Sequence, residues 1–193
     1  MKFKRSLLVS LCFFVIAVVV AVWLYPRLPA EVPRHWDLQG HVNGTMPRLW
    51  GAAMPALWIL GLAGLTWLLP VISPRRFEIK PFAQVFVLVM LLVQALVLVV
   101  GLASLLSAVG YPVVMHEVVM LGVGALFLIL GNYMGKLRKN FFIGIRTPWT
   151  LASDAVWERT HRLGGWLFML AGVVMIAATL LGAPASVAIG AIV

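Results

Sequence analysis

The sequence predicts an all-α integral membrane protein with five full transmembrane helices, a short or partial sixth at the C-terminus and a cytoplasmic N-terminus. Three observations lead there. Of 193 residues, 63% are hydrophobic and 11% charged, whereas roughly a quarter of a soluble domain is charged. The apolar residues fall into runs close to the ~20 needed to cross a bilayer. The basic residues crowd into alternate connections between those runs, as membrane topology requires.

The predicted spans are 6–24, 51–72, 82–105, 113–134 and 163–181. The first follows the basic opening Met1-Lys2-Phe3-Lys4-Arg5 and imitates a secretory signal. It runs on past a typical signal core without a small-x-small cleavage pattern, so a retained helix is expected. After Pro184 the apolar tail ASVAIGAIV would reach only about 14 Å as a helix, half the hydrocarbon thickness, hence the partial sixth span. The single cysteine, Cys12, lies inside the first run, which excludes an intramolecular disulfide and a cysteine metal cluster.

Charge sets the orientation. With the N-terminus inside, Lys2, Lys4, Arg5, Arg75, Arg76, Lys80, Lys136, Arg138, Lys139, Arg146, Arg159 and Arg162 are cytoplasmic, 12 in all. Only 3, Arg27, Arg34 and Arg48, are outside. A net charge of +9 placed this way is explained by topology and not by nucleic acid.

The first outer loop, 25–50, reads YPRLPAEVPRHWDLQGHVNGTMPRLW. Pro26, Pro29 and Pro33 are expected to hold its first half extended. Gly40 and Asn43-Gly44 tolerate positive φ, so a tight turn or small hairpin should follow. In the spans, Gly131 and Gly135 form a small-xxx-small spacing, and Gly61 and Gly64 sit on the second run, all candidates for close helix contact. Pro55 and Pro70 are read as lying near the two ends of the second span. Gln94, at mid-membrane, is expected to bond across to another helix.

The longest polar interval runs from Gly131 to Phe168 and holds the loop 135–162 between the fourth and fifth spans. Thr147-Pro148 and Ser153-Asp154 are two helix starts, each with a capping hydroxyl followed by a residue suited to a first turn. Trp157 and His161 are four apart and share a helix face. The segment is expected to be amphipathic and to lie at the inner interface, its tryptophans at headgroup depth. Arg146, Trp149, Trp157, His161 and Arg162 are expected to clamp the loop against the helix ends.

The wording of this interval is specific. GNYMGKLRKNFFIGIRTPWTL and VWERTHRLGG resemble the signature of the SdpI family, bacterial membrane proteins named for immunity to a secreted killing factor. Its signature-loop positions here are Asn132, Arg138, Asn140, Arg146, Thr147, Pro148, Trp149, Trp157, His161 and Arg162. Upstream, P-x-H-W-D-x-x-G-x-x-N-G from Pro33 to Gly44 resembles a module of unknown function that often precedes SdpI-like regions, although Thr45-Met46-Pro47-Arg48 departs from its usual ending. The resemblance divides the chain into 1–72, a helical hairpin with the outer loop, and 82–193, the SdpI-like region. It implies an inner-membrane protein of the bacterial cytoplasmic membrane that protects against a secreted toxic peptide. It also implies that such a protein can hold a transcriptional repressor at the membrane. The expected partners are the bilayer, a toxin peptide outside and a soluble regulator inside, with no direct nucleic acid.

Candidate chemistry gathers outside. His35, Trp36, Asp37 and His41 in the first loop, with His116 and Glu117 opening the fourth span, are the candidate ligand-binding residues. Imidazoles and carboxylates could bind zinc, but H-x-D-x-x-x-H matches no firm metal signature, and in HEVVM Met120 replaces the second histidine of a zinc-protease motif. Glu117 is expected to pair with Arg34 or Arg48 or to lie exposed at the interface. No nucleophile elbow or phosphate-binding loop occurs, so neither catalysis nor a cofactor is expected. Two rivals remain: a small transporter or channel, resting on Gln94, Glu117 and the prolines, and a membrane metalloenzyme, resting on convergence of His35, His41 and His116.

Overall fold

The computed structural model describes residues 3–37, 39–74, 78–183 and 190. Five of its helices are long and apolar enough to cross a membrane. They are α1 (Phe3–Leu24), α2 (Arg48–Ile72), α3 (Ala83–Ala108), α4 (Met115–Met134) and α6 (Asp154–Leu180), with the short α5 (Pro148–Ala152) between α4 and α6. Helices suit such runs because each backbone N–H and C=O is satisfied within its own segment, with no call on water. The expected partial sixth span, 184–193, falls outside the described residues except for Gly190.

Two strands, β1 (Glu31–Trp36) and β2 (Val42–Pro47), form an antiparallel hairpin between α1 and α2. The turn lies at 37–41, with Gly40 at φ 87. Asn43-Gly44 is therefore inside β2, with Gly44 opposite His35, and does not form the turn. Pro26 is not extended either: it lies in a single 3-10 turn, Tyr25–Arg27, continuing from α1. Pro33 and Pro47 are tolerated because a two-stranded ribbon leaves each strand one free edge.

The hairpin seats on the bundle through Val32, which is fully buried with Leu24, Leu28, Ala52 and Leu105. Gly51 makes room for it, since a Cβ there would lie 2.6 Å from Val32 Cβ. The same logic joins α2 to α3, where a Cβ at Gly101 would lie 2.7 Å from the Pro55 ring. Pro55 is thus two turns into α2, not near its end, because the helix begins three residues earlier than expected. The N–H it lacks would have bonded the Gly51 carbonyl.

Helices α4 and α6 run antiparallel along a double glycine seam. A Cβ on Gly131 would lie 2.5 Å from the Gly165 carbonyl oxygen, and one on Gly165 2.7 Å from that of Gly131. Seven residues along both helices, Gly124 and Gly172 repeat the arrangement, with Gly172 2.6 Å from the Gly124 carbonyl oxygen by the same measure. In lipid no hydrophobic effect drives helices together, so backbone approach and packing must do it. Gly135, Gly61 and Gly64 meet nothing within 4 Å, so the expected Gly131/Gly135 pair is half a contact.

Gln94 departs from expectation. It is fully buried in α3, yet neither its amide nitrogen nor its oxygen has a hydrogen-bond partner among the described residues.

Candidate functional site

Two ends of the bundle carry polar structure. At the hairpin end, the Asp37 carboxylate accepts the backbone N–H groups of Gln39 (3.0 Å) and His41 (2.8 Å), with the His41 ring 3.3 Å away. Desolvation is the largest single influence on this carboxyl and pushes its pKa up. Hydrogen bonds from the His41 backbone and ring and from Gln39 N–H, with the charge of His41, outweigh it, so the carboxyl sits below its ordinary value. His35 Nδ1 lies 2.5 Å from Asn43 Oδ1, locking the two strands side by side. His116 approaches the turn: a Cβ on Gly40 would lie 3.1 Å from its Nδ1.

The turn residues and His116 therefore meet, while His35 is engaged with Asn43 on the strands. Among the described residues no three His, Cys, Asp or Glu side chains are grouped to hold a metal, so the metalloenzyme reading finds no site there. Glu117 makes no ion pair with Arg34 or Arg48 and is exposed in the first turn of α4, where the helix dipole favours a carboxylate.

Beneath the hairpin lies a groove of about 540 Å³ between the strands, α2 and α3. Trp36, Met46, Met54 and Trp58 give it apolar walls, and Arg34 supplies its one charged side chain. Ser104 lines it too, but its hydroxyl is committed to the Pro33 carbonyl at 3.1 Å, pinning β1 to α3. Such a surface recognises shape and apolar area; it offers no nucleophile with a base. Of the candidate residues, only Trp36 lines it. Sequence reasoning missed the rest, because Pro55 and Gly101, which bring the two helix walls together, lie 46 positions apart.

At the opposite end the signature loop is ordered from within. Asn140, fully buried, uses its whole amide: Nδ2 donates to the carbonyls of Arg138 and Ile143 (both 2.9 Å), and Oδ1 accepts from Phe142 N (2.8 Å) and Ile143 N (2.7 Å). Both expected helix starts form. Thr147 and Thr150 make a reciprocal capping box on α5, and Ser153 accepts the Val156 N–H to cap α6.

Trp157 and His161 close the loop from α6. The Trp157 indole donates to the Leu137 carbonyl at 2.8 Å and stacks on the His161 ring with centroids 4.0 Å apart. His161 Nδ1 lies 2.8 Å from the Trp157 carbonyl, to which it can only donate. Its Nε2 is then free to accept the Ile145 N–H at 3.0 Å. The ring is thereby fixed as one neutral tautomer. Gly144, at φ 115, passes so close to Nε2 that no Cβ fits.

The other loop residues act differently. Arg146 donates to the Phe141 carbonyl from an exposed position. Arg138 faces Glu158 at 3.5 Å, and Lys139 pairs with Asp154 at 2.6 Å. Trp149 is 71% exposed, and Asn132, Pro148 and Arg162 are exposed as well. Of the five residues expected to clamp the loop, Trp157, His161 and Arg146 make bonds that hold it, and Asn140, Gly144 and Thr150 stand in place of Trp149 and Arg162. Nor do residues 154–162 form a separate interfacial helix: they are the first turns of α6, which runs unbroken through Gly164-Gly165 to Leu180.

These features define a multi-pass membrane protein with a β-hairpin over one end of its helices and a tightly bonded loop at the other. Comparison with known proteins is consistent at both ends. Residues 136–193 match the SdpI/YfhL protein family, and residues 12–60 match a domain of unknown function, DUF1648. The two matches fall on the signature loop with the helix after it and on the outer loop with its flanking helices, the stretches whose wording carried the resemblance. It is 25% identical over 168 residues to Immunity protein SdpI of Bacillus subtilis (strain 168), an alignment covering 87% of this chain and 78% of that one. No solved structure matches.

Proposed function

We propose that this chain is an immunity protein of the bacterial inner membrane, protecting its cell against a secreted antimicrobial peptide. The observation that carries the reading is the 87% span of similarity to Immunity protein SdpI, which takes in both the hairpin and the signature loop. The geometry supplies a place for capture. With 12 basic residues at one side and 3 at the other, the hairpin faces outward. The groove beneath it would then meet a peptide arriving from outside, with Trp36 and Trp58 as apolar anchors and Arg34 at its edge. The signature loop would face the cytoplasm, where its exposed Trp149, Arg159 and Arg162 offer a surface to a soluble regulator recruited on capture.

The test is protection. Cells sensitive to a panel of secreted peptides are challenged with and without the chain, and with Trp58→Ala and Arg34→Gln variants confirmed to be folded and inserted. Protection against one peptide, lost in both variants, is expected. Unchanged sensitivity to every peptide would remove the immunity reading. Protection retained in both variants would remove the groove from it.

A further inference from the structure

A second groove, of about 470 Å³, runs between α1 and α2 on the opposite side of α2 from the hairpin groove. From Phe14 to Tyr25 on α1 it extends about 17 Å, close to one leaflet of a hydrocarbon core about 30 Å thick. Its lining is apolar along this length, including Val18, Leu57 and Leu60.

Charge appears only at its mouth. Tyr25 and Pro26 form the rim on α1, and Leu49 on α2. Arg48, beside Leu49, lies with its guanidinium 5.9 Å from the Tyr25 ring centroid, and Arg27, beside Pro26, lies 5.5 Å from that of Trp23. Neither arginine forms an ion pair among the described residues; Arg48 Nε donates to the Pro29 carbonyl at 3.2 Å, leaving its other donors open. Glu31, the carboxylate nearest Arg27 in sequence, is exposed and pairs with neither arginine, and Asp37, the nearest to Arg48, bonds within its own turn.

We propose that this groove binds one anionic phospholipid of the leaflet at the hairpin end. An acyl chain lies between α1 and α2, and the phosphate lies between Arg27 and Arg48. The match rests on three properties together: a length of one leaflet, an apolar floor, and two cations at the depth where headgroups sit. Exposed Trp23 and Trp50 mark that depth, as interfacial aromatic rings do. A net-anionic lipid is selected because a zwitterionic headgroup brings its own ammonium to a rim that already has two unpaired guanidinium groups.

The experiment uses the full chain, stripped of lipid in neutral detergent and titrated with phosphatidylglycerol or with phosphatidylcholine of the same acyl chains. Bound lipid is counted by native mass spectrometry, and the thermal midpoint is followed. One retained phosphatidylglycerol per chain and a raised midpoint are expected, with phosphatidylcholine held more weakly. Arg27→Gln removes no side-chain hydrogen bond among the described residues and should weaken phosphatidylglycerol roughly ten-fold, as the loss of one charged contact does. Ala53→Phe fills the groove and should weaken both lipids. Equal retention of the two lipids, unaltered by Arg27→Gln, would overturn the proposal. So would an equal rise in midpoint with inorganic phosphate alone. A lipid-free dimer that Ala53→Phe dissociates would overturn it too, by placing a second copy in the groove.

Discussion

Replacing Gly144 by alanine tests how the signature loop is held. The backbone there has φ 115, a region that side chains avoid. A residue forced into it costs about 1–3 kcal/mol. The new methyl also lands on His161 Nε2, which must withdraw from Ile145. A partly buried N–H left without its acceptor costs about 1–3 kcal/mol more. The expected loss is therefore about 2–6 kcal/mol, against a total stability of roughly 5–15 kcal/mol for an ordinary domain. Thermal unfolding in detergent, with protease cleavage between 136 and 147 as a local readout, measures it. The decisive comparison is a double-mutant cycle with His161→Ala. Once the ring is gone, adding Gly144→Ala should cost only the backbone strain, so the two changes together should fall well short of their sum. Strict additivity, or a Gly144→Ala protein that melts like the parent, would refute the contact.

Other expectations are as specific. Gly131→Leu should lower folded yield sharply by forcing α4 off α6, whereas Gly135→Leu should leave the thermal midpoint unchanged; equal effects would misplace the seam. Gln94→Leu should be neutral or stabilising by about 1–3 kcal/mol, because it removes an unpartnered buried amide; a clear loss of thermal stability would show that the amide is bonded. Reporters fused after Gly40 and after Ala152 should read opposite sides of the membrane, outside and inside respectively. Because the Asp37 carboxyl titrates below its unfolded value, the turn's stabilisation should be complete above about pH 4 and be lost as pH falls through the lower folded value. Hydrogen exchange at the Gln39 and His41 amides, measured against pH, would show it; protection that disappears above that range would contradict it.

The features legible in the sequence are those with local causes. Apolar runs mark the five long helices, and Thr147 and Ser153 announce the starts of α5 and α6 through hydroxyls that bond three residues ahead. Contacts that depend on helix rotation were not legible. Gly131 and Gly135 look alike in sequence, yet only Gly131 faces α6. The signal for the seam was there in another form, as glycines seven apart on two different helices, 124 and 131 against 165 and 172. Trp149 and Trp157 have the same chemistry, but only Trp157 lies one turn before a histidine on an inward face, and only it is buried. The amide of Asn140 gave no hint that it would satisfy four backbone groups, since that requires the chain to curl around it.

The closure of the loop from α6 also fixes an order of construction. Synthesis runs from N- to C-terminus, so the Leu137 carbonyl must wait 20 residues for the Trp157 indole, and the Ile145 N–H must wait 16 for the His161 ring. Until then the loop is held from within, by Asn140, by Arg146 on the Phe141 carbonyl and by the Thr147/Thr150 capping box, and Gly131 and Gly124 do not yet have α6 to face. The zipper between α4 and α6 can therefore form only once α6 has been made, and Gly165, the partner of Gly131, is made before Gly172, the partner of Gly124. A ribosome that stalled after Met134 but before Trp157 would have made all four preceding spans and left the signature loop unfinished.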